Sequence, residues 1–262
     1  MQTVDKALKL LIYFTPSDPE IGLSDLARLS GYDKAATRRF LVALQKHAFI
    51  EQNPDNRKYR LGAAFLHFAQ VREATRPLSS IVMPLLEGLT AETGETSHAS
   101  HYSASALINI GISESPRATR VHMDPSEILP LHATGSGLVY LAYGPEGTLD
   151  DVISAGLEKY TPHTITSAKA LRDAVRNARQ NGYALSPQSF EDEVSGIAMP
   201  YFDGSGTALG ALAVAAPTSR MTDELKDRII DRLAQAVHTV TKGIGGKPHP
   251  DFLSAQKGKQ AA

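Results

Sequence analysis

The chain has 262 residues, 42% of them apolar, with 27 Lys and Arg against 28 Asp and Glu and no cysteine. That length allows one large domain or two ordinary ones. The missing cysteines exclude disulfides and thiolate chemistry, and no apolar run reaches the roughly 18 residues a bilayer span needs. Met1 to Lys6 lacks a charged-then-apolar leader, so the expectation is a cytoplasmic protein with no membrane partner. The near-zero net charge hides an asymmetry. Residues 1–76 carry 12 Lys and Arg against 8 Asp and Glu, and the remainder carries 15 against 20. A basic N-terminal part points to a polyanion met at that end.

Along the chain, Thr3 reads as a helix N-cap, followed by Val4, Ala7, Leu8, Leu11, Ile12 and Phe14 at largely helical spacing. Pro16 ends that helix, and a loop runs to Gly22. Ser24 is a cap for a second short helix, Gly31 supplies a turn, and Asp33 caps a third helix with Phe40, Leu41 and Leu44 on its buried face. The periodicity then changes. Residues 49–52 and 58–61 are strand-like, with Asn53-Pro54-Asp55-Asn56 as the turn between them. Three helices and a basic-tipped hairpin predict a winged helix-turn-helix over residues 1–62.

Residues 63–93 read as linker helices, interrupted at Arg76-Pro77. Their second half carries Leu78, Ile81, Val82, Leu85, Leu86 and Leu89 on one face. Residues 94–245 mix strand-like pieces (97–112, 118–123, 196–202, 208–215) with helix-like ones (135–144, 148–155, 167–181, 223–243). Asp203-Gly204-Ser205-Gly206 is a hairpin turn, and an antiparallel sheet flanked by helices makes the class α+β. The polar tail, 246–262, has no periodicity and is expected to be disordered.

In a helix-turn-helix the second helix enters the major groove with its first residues at the base edges. Lys34, Ala35, Arg38 and Arg39 hold those positions. Arg57 and Lys58 at the hairpin tip, and Thr3 at a helix start, are placed for backbone or minor-groove contact; Lys46 and Arg60 are weaker candidates. Thr37 sits where a packed face needs a small side chain. A single cation on a helix is usually only solvated. The ordered set of capped helix, Gly turn, capped basic helix and basic hairpin is what argues for DNA.

Four stretches carry a resemblance: LSDLARLSGYDKAATRRFLVAL, HAFIEQNPDNRKYRLG, LPLHATGSGLVYLAY and NGYALSPQSFEDEVSGIAMPYFDGSGTALGALAVAAP. In this order and spacing, over about residues 3–243, the chain resembles the isocitrate-lyase-regulator (IclR) type of bacterial transcription factor. The resemblance implies a winged helix-turn-helix, a linker helix and a GAF-like effector domain. It also implies homodimers or tetramers on palindromic, double-stranded operator DNA, usually near catabolic genes, as repressors or activators. One departure is local: many members open the recognition helix with Pro-Lys-Ser-Thr-Val, where this chain has Asp33-Lys34-Ala35-Ala36-Thr37. Two hydroxyls become methyls, which moves base readout toward the arginines or thymine methyls.

The same resemblance puts effector contacts at Val121, Leu129, Gly135, Ser136, Ser186, Val194, Gly196, Ala213 and Ala215. In members that bind small keto acids, the positions of Ser186, Gly196, Ala213 and Ala215 tend to carry acidic, thiol or hydroxyl groups. Smaller, less polar residues here predict a larger or more apolar ligand, a small organic acid with room for an aromatic ring. The N–H groups of Gly135, Ser136 and Gly137 at a helix start are expected to receive its carboxylate.

Other signals weigh less. His98, His101, His122, His132 and His163 have zinc-ligand chemistry, but residues three apart on a strand face opposite ways. Glu191-Asp192-Glu193 reads as a solvated loop. No catalytic set, cofactor motif or phosphate loop emerges. The runner-up reading is a small-molecule sensor or enzyme domain without a DNA-directed role; an enzyme has no use for the basic helix and wing.

Overall fold

The computed structural model describes residues 2–15, 17–75, 78–103 and 105–260, and it divides into two compact units, Met1–Pro77 and Leu78–Ala262. The expected breaks at Pro16 and Arg76-Pro77 lie outside the described residues.

The first unit contains helix α1 (Gln2–Lys9), α2 (Leu23–Ser30), α3 (Lys34–Lys46), the antiparallel pair β1 (Ile50–Gln52) and β2 (Tyr59–Leu61), and α4 (Ala64–Thr75). Leu10, Leu26, Leu41 and Ile50 are almost fully buried and make its core with Phe14, Ile21, Leu44 and Tyr59. Gly31 ends α2 at φ 71°, the left-handed backbone that glycine adopts without strain. Asp33 then caps α3 by accepting the Ala36 N–H at 2.8 Å.

Two predicted caps are displaced. Thr3 lies inside α1, and Ser24 lies inside α2, whose N-cap is Gly22. A hydroxyl within the first turn signals a helix start but does not fix the cap to the residue. Val4, Leu8 and Ile12 share one side of the N-terminal helix yet stay exposed, because Leu10 and Phe14 supply its buried contacts.

The predicted linker divides. In α4, Phe65 and Phe68 bring their rings to 5.5 and 5.7 Å from Phe49, so this helix packs with the first unit. Helix α5 (Leu78–Thr93) belongs to the second, burying Val82, Leu86 and Leu89 on the sheet. Gly111 allows that approach, since a Cβ there would meet Met83 Sδ at 2.9 Å.

The second unit is one antiparallel sheet of β3 (Thr96–Ser103), β4 (Ala106–Ser113), β5 (Ile128–Leu129), β6 (Ala184–Pro187), β7 (Val194–Phe202) and β8 (Ala208–Pro217), in the order β5-β4-β3-β8-β7-β6. Helices α6 (Gly135–Tyr143), α7 (Thr148–Ala155), α8 (Ala168–Asn181) and α9 (Asp223–Gly243) match the predicted helical pieces. Ser97 of β3 donates to the Leu86 carbonyl of α5. The start of α6 lies on the opposite face, over Ala198.

Two expectations fail here. Residues 118–123 form no strand; Val121 instead gives its carbonyl to Thr96 Oγ1 at 2.7 Å. The supposedly disordered tail folds into α10 (Pro250–Gln260). Phe252 is 95% buried there against Phe202 and Tyr143, with ring centroids 5.2 and 6.0 Å away. One buried aromatic in a polar run leaves no periodic signal. Among the described residues no helix is long and apolar enough to cross a membrane.

Candidate functional site

Two surfaces carry the chemistry, one in each unit. In the first unit, Lys34, Ala35, Arg38 and Arg39 line one open surface of α3, together with Leu23 and Val42. None of its three cations has an acidic partner among the described residues, whereas Arg28 is paired with Asp25 at 3.0 Å and Arg60 with Glu51 at 2.6 Å. The unpaired positive charge is therefore gathered where a helix of this motif meets the groove. Thr37 is fully buried and donates to the Asp33 carbonyl, the packing role its position implied.

The wing is braced from outside. The Glu20 carboxylate accepts Asn53 Nδ2 at 3.1 Å and Asn56 Nδ2 at 2.7 Å, and Arg60 Nη1 stands 3.5 Å away. The Asn56 and Asn53 bonds hold this carboxyl below its usual pKa. Arg57 and Lys58 stay exposed at the tip and make no ion pair within 4.0 Å among the described residues, Arg57 at φ 59°. Thr3 is exposed on α1 and is not among the residues lining the α3 surface.

In the second unit, strand register builds a cavity. His98 on β3 pairs with Ala213 on β8, and Ala213 with Ala198 on β7. Ala215 pairs with Gly196, and Gly196 with Ser186 on β6. These residues recur at period two, so they share one face of the sheet. Small side chains leave space between that face and the start of α6. The resulting cavity is partly open to solvent. Val121, Leu129, Gly135, Ser136, Ser186, Val194, Gly196, Ala213 and Ala215 all line it. So do His98, Met123, Glu127, Thr134, Phe190 and Glu191, which the sequence reading did not assign to a ligand. Only the strand pairing reveals that His98 sits opposite Ala213.

The helix start is less free than expected. The Gly135 N–H donates to Ser186 Oγ at 2.9 Å and the Gly137 N–H to Thr134 Oγ1 at 3.0 Å. Of the three amides, Ser136 alone is left by these caps for an incoming carboxylate. Gly137 has to be glycine, since a Cβ would lie 2.3 Å from the Leu131 carbonyl oxygen.

His98 is 93% buried, and burial pushes its imidazole down to about 4, so it is neutral at physiological pH. Its Nε2 lies 3.4 Å from Ser136 Oγ, while its Nδ1 is buried with no hydrogen-bond partner among the described residues. Of the other histidines, His101 bonds Tyr201 and His132 meets the Glu158 carbonyl. No group of three or more His, Asp or Glu among the described residues is placed to hold a metal ion.

A helix-turn-helix head with unpaired cations and a separate unit with a cavity beside its sheet define a DNA-binding regulator. Residues 3–54 match the IclR helix-turn-helix domain and residues 73–242 match the bacterial transcriptional regulator IclR C-terminal domain. The chain belongs to the IclR family of bacterial transcriptional regulators. It is 28% identical to the HTH-type transcriptional regulator XynR of Escherichia coli K12 over 94% of this chain and 98% of that protein. Transcriptional repressor IclR of the same organism is 26% identical over 94% of this chain and 91% of its own length. A crystal structure from Silicibacter sp. TM1040, assigned to the IclR regulators, superposes with a TM-score of 0.91 at 43% identity, covering 95% of this chain and 99% of that one. At 22% identity, an IclR homologue of Microbacterium hydrocarbonoxydans complexed with 4-hydroxybenzoate shares the fold, with a TM-score of 0.77 over 96% of this chain and 99% of its own.

Proposed function

We propose that this chain is a cytoplasmic, ligand-responsive regulator of a catabolic operon that binds a palindromic operator as a homodimer or tetramer. Lys34, Ala35, Arg38 and Arg39 enter the major groove, Arg57 and Lys58 contact the adjacent backbone or minor groove, and Thr3 contacts a phosphate from α1. The effector is a small organic acid with room for a ring, its carboxylate received at Ser136. The observation that carries the effector half is the convergence of nine expected positions on one cavity. The aromatic acid held by the Microbacterium homologue supports the same class.

The effector acts by preferring one arrangement of the second unit and thereby biasing the spacing of paired heads, which must match half-sites whole turns apart. The test is a mobility shift of the chain's own upstream intergenic DNA at two salt concentrations, with and without aromatic and keto acids. A specific, salt-sensitive shift altered by one acid is the expected result. Turnover of an acid by a protein that shifts no DNA would overturn the proposal.

A further inference from the structure

The cavity's charge does not suit a simple anion. Its lining contains no Lys or Arg, and its one histidine, His98, is neutral. Its two ionisable acids are Glu127, half-buried, and Glu191, the exposed residue of the lining, so Glu191 marks the solvent side. Partial desolvation raises both carboxyls from their usual values, and Glu191 and Asp124 raise Glu127 further by repulsion. Such a group of carboxylates lacks a cation. His122 lies near enough to favour the charged form of Glu191, but it is itself drawn to Glu114 at 2.6 Å. Phe190 lines the cavity beside Glu191, and carboxylates next to an aromatic ring are the surroundings an ammonium group favours.

The inner end has the opposite need. His98 Nδ1 is buried and unpaired among the described residues, and the Ser136 N–H stands at a helix start. A buried polar atom without a partner is costly, so a ligand that brings a polar atom to His98 would relieve that cost. A carboxylate at Ser136 alone would be an anion brought into a lining that already carries acids and no cation, which is unfavourable without compensation.

We infer that the effector is a zwitterion: a small acid whose far end carries an ammonium group, held at the mouth by Glu127 and Glu191 beside Phe190, with its carboxylate toward Ser136 and His98. This rests on the cavity being the effector site proposed above, and it narrows the ligand class from organic acids to amino-bearing ones.

The test is titration calorimetry on the full chain with matched pairs: 4-aminobutanoate against butanoate, 6-aminohexanoate against hexanoate, and 4-(aminomethyl)benzoate against 4-methylbenzoate. The aminated member of at least one pair is expected to bind tenfold or more tighter than its partner. The Glu127→Gln/Glu191→Gln chain is expected to lose that preference. Equal or weaker binding of every aminated acid, or no binding of any probe, overturns the inference. The wild-type comparison decides it even where the variant does not fold. An aminated acid that binds a chain shifting no DNA upholds the inference and removes the regulatory reading. A DNA shift altered only by the plain acids does the reverse.

Discussion

Ser186 Oγ, on β6, accepts the Gly135 N–H across the cavity at 2.9 Å, closing one of the helix-start amides to any ligand. Ser186→Ala removes that acceptor. The free protein is expected to lose about 1 kcal/mol, the net worth of such a bond. Affinity for carboxylates is expected to rise several-fold, because the Gly135 amide then points at the ligand beside that of Ser136. Thermal melts of the free protein read the first change and titration calorimetry with 4-hydroxybenzoate the second; a fall in affinity would mean the hydroxyl is itself a ligand donor.

Arg38→Ala and Arg39→Ala are each expected to weaken DNA binding by about 1–3 kcal/mol if they read bases, and to lower the salt slope by about 1 if they meet phosphates. Arg60→Ala is the contrast, since that guanidinium is held by Glu51 and Glu20. Fluorescence anisotropy across a salt series separates the three. An Arg60 effect larger than either α3 arginine would place the contact surface elsewhere.

How legible was this in the sequence? The helices up to α9 followed mainly from period, and α3 from its cap as well, because Asp33 and Gly31 act within a turn of where they stand. The nine cavity positions came through the family resemblance; no spacing in the chain brings Val121 to Ala215. His98 was missed because its neighbours belong to β8 and α6, more than 30 residues away, and only register joins them. The tail was misread because α10 is anchored by the single ring of Phe252. Glu191 looked like a solvated loop acid and Glu127 carried no signal, until packing put both on one cavity.

Buried His98 makes stability depend on pH. Its folded value, about 4, lies below the 6.5 of a free imidazole, so between those limits the unfolded chain binds a proton that the native chain refuses. Its contribution is complete above pH 6.5 and is lost as pH falls toward 4, an amount of about 3 kcal/mol. Urea midpoints measured from pH 7 to 4.5 are expected to fall more steeply for the wild type than for His98→Gln. Parallel curves would show that His98 is solvated.

Two glycines predict opposite outcomes. Gly137→Ala drives a methyl into the Leu131 backbone and is expected to cost more than about 2 kcal/mol or prevent folding. Gly88→Ala, inside α5 with nothing within 4 Å of the new methyl, is expected to stabilise by about 0.5–1 kcal/mol. Thermal melts compare them directly.

Removing α10 by ending the chain after Gly246 uncovers Phe202 and Tyr143. The truncated protein is expected to melt several degrees lower, and Phe252→Ala alone to lose about 3 kcal/mol. An unchanged melting temperature would return the tail to the disordered state its composition suggests.

The brace on the wing has a consequence for recognition. Besides the Glu20 contacts, Asn53 Oδ1 accepts the Asp55 N–H at 3.0 Å and Asn56 Oδ1 accepts the Lys58 N–H at 2.8 Å. On the proposed role of Arg57 and Lys58, the hairpin tip is thus shaped before any duplex arrives, its backbone entropy already surrendered during folding. Docking then costs only side-chain rotamers at the tip, which favours a tight fit to one groove width over tolerance of many.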